Sequence, residues 1–165
     1  MAADWKPLEA GDMPAVLAIA GRLHPGLPER AEVFAEKLRL FPDGCRKLVS
    51  DGKLTGYGLA HPWLLSSAPK LDAFLEALPA SPDCLYLHDA AVLPEGRGRG
   101  AARAYVQYLE ALARSLGLGR LALVSVYGTV PLWEKLGFTV VSAGAPPTPS
   151  YGPSAAYMIK GITVS

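Results

Sequence analysis

The stretch that most constrains this chain runs from Val92 to Ala102, Val-Leu-Pro-Glu-Gly-Arg-Gly-Arg-Gly-Ala-Ala. An apolar run from Tyr86 to Leu93 enters this turn, and a long periodic segment follows it. Small residues here remove the Cβ atoms that would shield successive N–H groups, and the first N–H groups of a helix have no internal partner. Such a turn attracts anions, because the helix start carries partial positive charge and Arg97 and Arg99 add cationic donors. The turn lacks the Gly-Lys-Ser/Thr ending of a nucleoside-triphosphate loop, and its spacing is not Gly-x-Gly-x-x-Gly after an N-terminal strand. Its anion therefore belongs to another class of ligand.

The 165 residues suit one domain, 1–165, long enough to enclose a core. Half of them are hydrophobic and 19% are charged, the balance of a compact chain and not of a disordered one. A formal net charge of +1 gives no nucleic-acid signature, although a local anion site is compatible with it. No stretch reaches membrane-spanning length, and the opening Met1–Lys6 lacks the basic and apolar regions of a secretion signal. A cytoplasmic location is expected, with no membrane or nucleic-acid partner. Cys45 and Cys84 have apolar neighbours and are expected as reduced core thiols; without a His and carboxylate cluster nearby they predict no metal site.

Periodicity predicts an opening strand at Trp5–Glu9, a helix after Asp12 through Leu23, and a second helix from about Glu29 to Phe41. Cys45–Ser50 and Leu54–His61 read as strands joined by Asp51-Gly52, a pair that favours a tight hairpin. Gly56 and Gly58 admit either a bend, ordinary sheet curvature or a close ligand approach. Pro62–Pro69 reads as a loop, Lys70–Leu78 as a short helix, and Cys84–Leu93 as a strand. Ala101–Leu116 is a strongly patterned helix closed by Gly117 and Gly119. Leu121–Val126, Val130–Leu136 and Phe138–Val141 follow as strand, short helix and strand. Ala143–Ser154 reads as a loop before a last strand at Ala155–Ile162.

Two separated elements, Arg97-Gly98-Arg99-Gly100-Ala101-Ala102 and Leu132-Trp133-Glu134-Lys135-Leu136-Gly137-Phe138, together resemble the GNAT superfamily of N-acetyltransferases. The resemblance extends over nearly the whole chain. It implies an α/β acyl-CoA N-acyltransferase fold: a central mixed, mostly antiparallel sheet flanked by helices, with a splayed parallel strand pair at the cofactor site. Arg97, Gly100 and Ala102 match the family's Arg/Gln-x-x-Gly-x-Gly/Ala element, so backbone N–H groups from Arg97 through Gly98, Arg99, Gly100 and Ala101 to Ala102 are expected to hold the pyrophosphate of acetyl-CoA. Backbone groups of Ala90 and Val92 would hold the acetyl and pantetheine portion, and coenzyme A would be the product.

The sequence departs from the family at Val126, where many members have Asn, and at Trp133, where many have the tyrosine that returns a proton to the thiolate. An indole has no ready proton for that exchange. Trp133 is therefore expected to contact the cofactor or pack its short helix. Tyr127 is the nearest replacement acid, Tyr151 a second, and protonation through water a third.

The implied reaction transfers acetyl to a primary amine of a small molecule or peptide, which must lose a proton before attack. His88 and Asp89 are the leading groups for that task. Strict alternation puts them on opposite faces of their strand unless a bulge intervenes. His61 is a further candidate. Arg22, His24, Glu29, Trp63 and Tyr151 are candidates for the acceptor site by general superfamily arrangement. The competing expectations are transfer of a longer acyl group and a noncatalytic acyl-CoA-binding or regulatory domain; the chain is expected to act as a monomer or homodimer.

Overall fold

The computed structural model describes residues 4–141, 149–152 and 154–164. In chain order the elements are β1 (Asp4–Pro7), α1 (Met13–Leu23), α2 (Ala31–Leu40), β2 (Arg46–Ser50), β3 (Lys53–Trp63) and β4 (Cys84–Val92). They continue with α3 (Ala101–Ser115), β5 (Arg120–Ser125), α4 (Val130–Lys135), β6 (Thr139–Val140) and β7 (Ala156–Gly161). Among the described residues, seven strands make one sheet in the order β1-β2-β3-β4-β5-β7-β6. Among these strands β4 and β5 run parallel, and every other neighbouring pair is antiparallel. The fold class is therefore the mixed, mostly antiparallel sheet with flanking helices. Most of the loop expected at Ala143–Ser154 lies outside the described residues.

Local chemistry explains the framework. The β2–β3 hairpin closes through Asp51 and Gly52 with φ of 52° and 75°, the two left-handed residues that a tight hairpin turn demands. On one face of the sheet, Leu85, Leu87, Leu121 and Leu123 pack against Tyr105, Val106, Leu109 and Ala113 of α3. On the other, Tyr57, Leu59 and Ala91 meet Val16 and Ile19 of α1 and Phe34 of α2. Gly58 lies directly beneath Tyr105: a Cβ there would run into the phenol ring. The absent side chain lets α3 settle close to β3, and the Tyr105 hydroxyl donates to the Gly44 carbonyl at 2.8 Å. Close approach is thus the use of this glycine, and an aromatic side chain fills the gap.

Two irregularities of β4 create the site. It pairs with β5 only at Leu85–Leu87 opposite Leu121–Leu123, after which the two strands separate and leave a wedge. Against β3 the register shifts, with Leu59 opposite Asp89 and Ala60 opposite Leu87, so that His88 is an extra residue. Such a bulge re-aims side chains.

The segment Lys70–Leu78 differs from expectation: it contains no helix. Asp72 and Glu76 have φ of 56° and 68°, which a right-handed helix excludes. Its backbone donors bond elsewhere. Leu75 and Glu76 donate N–H groups to the Glu36 carboxylate at 2.6 and 2.9 Å, and Asp72 donates to Glu29 at 2.9 Å. Charged acceptors on and before α2 hold the segment in a form that local propensity does not encode.

Candidate active site

A cleft of about 700 Å³ runs from the start of α3 along Ala90–Val92 into the β4–β5 wedge, where His24, Asp89 and Tyr127 line it. At its α3 end, Gly98 and Gly100 have φ of 85° and 67°. A Cβ at either position meets nothing within 4 Å, so backbone conformation and not crowding is what calls for glycine. Gly100 occupies the N-cap without a side-chain cap, and the Ala104 N–H bonds to its carbonyl at 2.9 Å. The N–H groups of Ala101, Ala102 and Arg103 precede that first bond and have no intrahelical acceptor.

Arg97, Arg103 and Lys135 line this cleft, and Asp89 is its only carboxylate among the described residues. Free helix N–H groups plus three cations suit a chain of phosphates, so the residues present fit coenzyme A. The Nε of Arg97 is itself used within the protein, donating to the Val92 carbonyl at 2.8 Å and holding the end of β4. Arg99 is exposed and does not line the cleft. Trp133 does; its indole donates to Thr129 Oγ1 at 3.2 Å and its ring meets Phe138 edge-on, with centroids 5.8 Å apart.

At the wedge, the bulge brings His88 and Asp89 to the same face, toward the α1–α2 turn. The His88 Nε2–H donates to both oxygens of Glu29, at 3.0 and 3.1 Å, and the ring is fully enclosed. Burial pushes the Glu29 carboxyl up, but the bond and field of His88, the Asp72 N–H and the Lys37 ammonium outweigh it and leave Glu29 below its ordinary value. Asp89 accepts from the Tyr57 hydroxyl at 2.6 Å, and its other oxygen lies 3.4 Å from His24 Nδ1. Burial raises the Asp89 carboxyl above its ordinary value despite the opposing pull of His24, Tyr57 and His88. Both Asp89 and His24 keep part of their surface open, 13% and 20% of the side chain.

Tyr127 completes this end. Its ring stacks on His24 with centroids 5.7 Å apart, and its hydroxyl accepts the Gly26 N–H at 3.2 Å. A φ of 54° turns it across the cleft. The remaining candidates lie away from the cleft. His61 is buried beside Tyr86, Trp63 and His88, its Nδ1–H donating to the Pro62 carbonyl at 3.0 Å; burial, then the charge of His88, push its pKa down to about 3. The indole of Trp63 donates to the Ser67 carbonyl. The buried hydroxyl of Tyr151 donates to the Pro69 carbonyl at 2.7 Å and adjoins that of Tyr86.

Two polar groups near the site escape sequence reasoning. Tyr57 sits where strand alternation marks a core residue, and nothing local shows that its hydroxyl will meet Asp89. Lys37 is a buried ammonium without a hydrogen-bond partner among the described residues, lowered by burial against the fields of Glu29, Glu36 and Asp89. One signal was available for it: Lys37 falls one turn after Val33, on the apolar side of α2. Among the described residues, no group of three or more His, Cys, Asp or Glu side chains could hold a metal ion.

The splayed strand pair, the bulge beside it and the uncapped α3 start define an acyl-CoA N-acyltransferase fold. The model of the Acetyltransferase (GNAT) family matches residues 14–138, and the chain belongs to that family. No curated protein matches the sequence. Among solved structures, the chain is similar to Ard1 from Thermoplasma volcanium, at 14% identity over 99% of both chains with a TM-score of 0.74. It is similar to the ribosomal-protein-S18-alanine N-acetyltransferase from Escherichia coli, at 22% identity over 99% of this chain and 96% of that one, TM-score 0.68. It is also similar to the GphF GNAT-like decarboxylase in complex with isobutyryl-CoA, at 15% identity over 97% and 100% of the chains, TM-score 0.78. At these identities the likeness is one of fold.

Proposed function

We propose that the protein transfers acetyl from acetyl-coenzyme A to a primary amine of a small molecule or peptide. The observation that carries this reading is a single cleft with cations and free helix N–H groups at one end and the Asp89–His24–Tyr127 group at the other. Acetyl-coenzyme A supplies the activated acetyl thioester. The backbone from Gly98 to Ala102, with the Arg97, Arg103 and Lys135 side chains, binds its phosphates; the Arg97 N–H is taken by the Pro94 carbonyl at 3.2 Å. The backbone of Ala90 and Val92, beyond the last β4–β5 pair, holds the acetyl and pantetheine portion. The indole of Trp133 forms part of the wall.

Asp89, with His24 beside it, takes one proton from the incoming ammonium and frees the nitrogen lone pair. Its burial-raised pKa makes it a better proton acceptor than an exposed carboxylate. As the N–C bond forms and the thioester C–S bond breaks, Tyr127 gives one proton to sulfur; the second proton leaving the nitrogen restores the tyrosine, and the first is released from Asp89 to solvent, so the protons balance. Its hydroxyl accepts from Gly26 and therefore keeps its own hydrogen to donate. His88, enclosed with Glu29, acts by holding the bulge that aims Asp89 into the cleft.

Calorimetric binding of coenzyme A, followed by transfer assays with an amine panel and a series of acyl thioesters, tests the reading. The expected result is coenzyme A binding and fastest turnover with acetyl. Failure to bind coenzyme A overturns it. Preference for longer thioesters replaces it with a longer-chain acyltransferase, and binding without turnover replaces it with an acyl-CoA-binding domain.

A further inference from the structure

A second cavity, of about 220 Å³, opens beside the first between α1, the α1–α2 turn and β4. His24 and Asp89 line both, so the two volumes meet where the proposed proton transfer occurs. The walls of the smaller cavity come from Leu17, Ala20, Gly21, Pro25, Leu27 and Phe34. Its ionisable lining groups are His24, Asp89 and Glu29, and neither Lys nor Arg lines it among the described residues. Both Glu29 oxygens are taken by His88, and one also accepts the Asp72 N–H. Asp89, with 13% of its side chain open against 3% for Glu29, is the carboxylate left to meet a ligand.

We infer that this cavity is the acceptor pocket and that it selects a monoamine carrying one compact apolar group, without a carboxylate or a second cation. The inference rests on the acetyl-transfer reading above. An ammonium placed at the junction meets Asp89, and the group it carries is buried among hydrocarbon walls. An amino acid would bring its carboxylate against Asp89 and Glu29 in a pocket that, among the described residues, neither Lys nor Arg lines, a desolvation cost without compensation. A diamine would bury a second ammonium against apolar walls. A dry apolar cavity of about 150 Å³ accommodates benzene, so this volume suits a substituent of roughly isopentyl to phenethyl size.

The test compares kcat/KM, at saturating acetyl-CoA, for isopentylamine and phenethylamine against leucine, phenylalanine and putrescine, with coenzyme A binding measured in parallel. The first pair share their apolar groups with the two amino acids, so the comparison isolates the carboxylate. The expected preference for the two monoamines is about tenfold or more, equivalent to roughly 1.4 kcal/mol. A companion variant, Gly21→Leu, adds bulk at a helical position that lines the pocket and whose added Cβ meets nothing within 4 Å. It should shift the phenethylamine-to-ethylamine ratio of kcat/KM toward ethylamine by about tenfold.

Equal or better turnover of leucine, phenylalanine or putrescine overturns the pocket assignment while leaving acetyl transfer intact. An unchanged ratio in a folded Gly21→Leu protein overturns it as well, as does coenzyme A binding with no turnover of either monoamine. Absence of coenzyme A binding removes the reading on which the inference rests, and the inference with it.

Discussion

At the scale of single residues, the site is decided by which polar side chains remain open after their partners are counted. His88 and Asp89 are neighbours in sequence, yet one is enclosed against Glu29 and the other faces two cavities. Asp89→Asn keeps the shape and a hydrogen-bond acceptor but removes the base, and is expected to lower kcat by about a hundredfold. Because burial raises the Asp89 carboxyl, the wild-type rate should climb with pH through a value above that of an ordinary aspartate. That acid limb should vanish in Asp89→Asn and survive in His88→Gln, as pH–rate profiles of both variants would show; an unchanged limb in Asp89→Asn counts against the base assignment. The pair could be picked out from the sequence, but their division of labour could not, because strand alternation gives opposite faces and only the inserted residue at the bulge undoes it.

Among the elements, the turn before α3 was the most legible. Small residues followed by a strongly periodic helix dictate an uncapped helix start wherever the rest of the chain goes. Gly98 and Gly100 hold positive φ, so β-branched residues there are strained irrespective of space. The double variant Gly98→Val/Gly100→Val is expected to weaken coenzyme A binding by about a hundredfold while circular dichroism still reports α3. Affinity equal to wild type in that folded protein would remove the cradle. The segment at 70–78 shows the opposite case. Its composition allows a helix, but the Glu29 and Glu36 carboxylates, distant in sequence, capture its N–H groups in another conformation.

Across the whole molecule, stability should carry the imprint of the buried polar groups behind β4. His61 has a folded pKa of about 3, below its unfolded value near 6.5, because burial disfavours the charged ring. The unfolded chain therefore takes up a proton that the folded one refuses as pH falls through 6.5. The stabilisation is complete above that pH and is lost progressively toward pH 3, at up to about 1.4 kcal/mol per pH unit. Glu29, whose pKa is depressed, adds loss only below the unfolded carboxylate range; Asp89, whose pKa is raised, acts in the opposite sense. Denaturant unfolding of wild type and His61→Gln between about pH 4.5 and 6.5 separates the histidine, and the variant should show the shallower pH dependence. Parallel slopes in the two proteins would place the acid sensitivity elsewhere.

By itself the sequence determined what local chemistry governs: the left-handed Asp51–Gly52 hairpin, the amphipathic faces of α1, α2 and α3, and the anion-attracting turn whose order relative to the Trp133–Phe138 element marks the family. These depend on backbone sterics and side-chain period over a few residues. Only the tertiary structure decided where β4 and β5 part, that His88 is the extra residue of the bulge, and that Asp89 stands between two cavities beside His24. Those outcomes rest on contacts between residues far apart in the chain, Asp89 with Tyr57 and His24, and His88 with Glu29. Their energies depend on burial and direction, which no spacing along a sequence encodes.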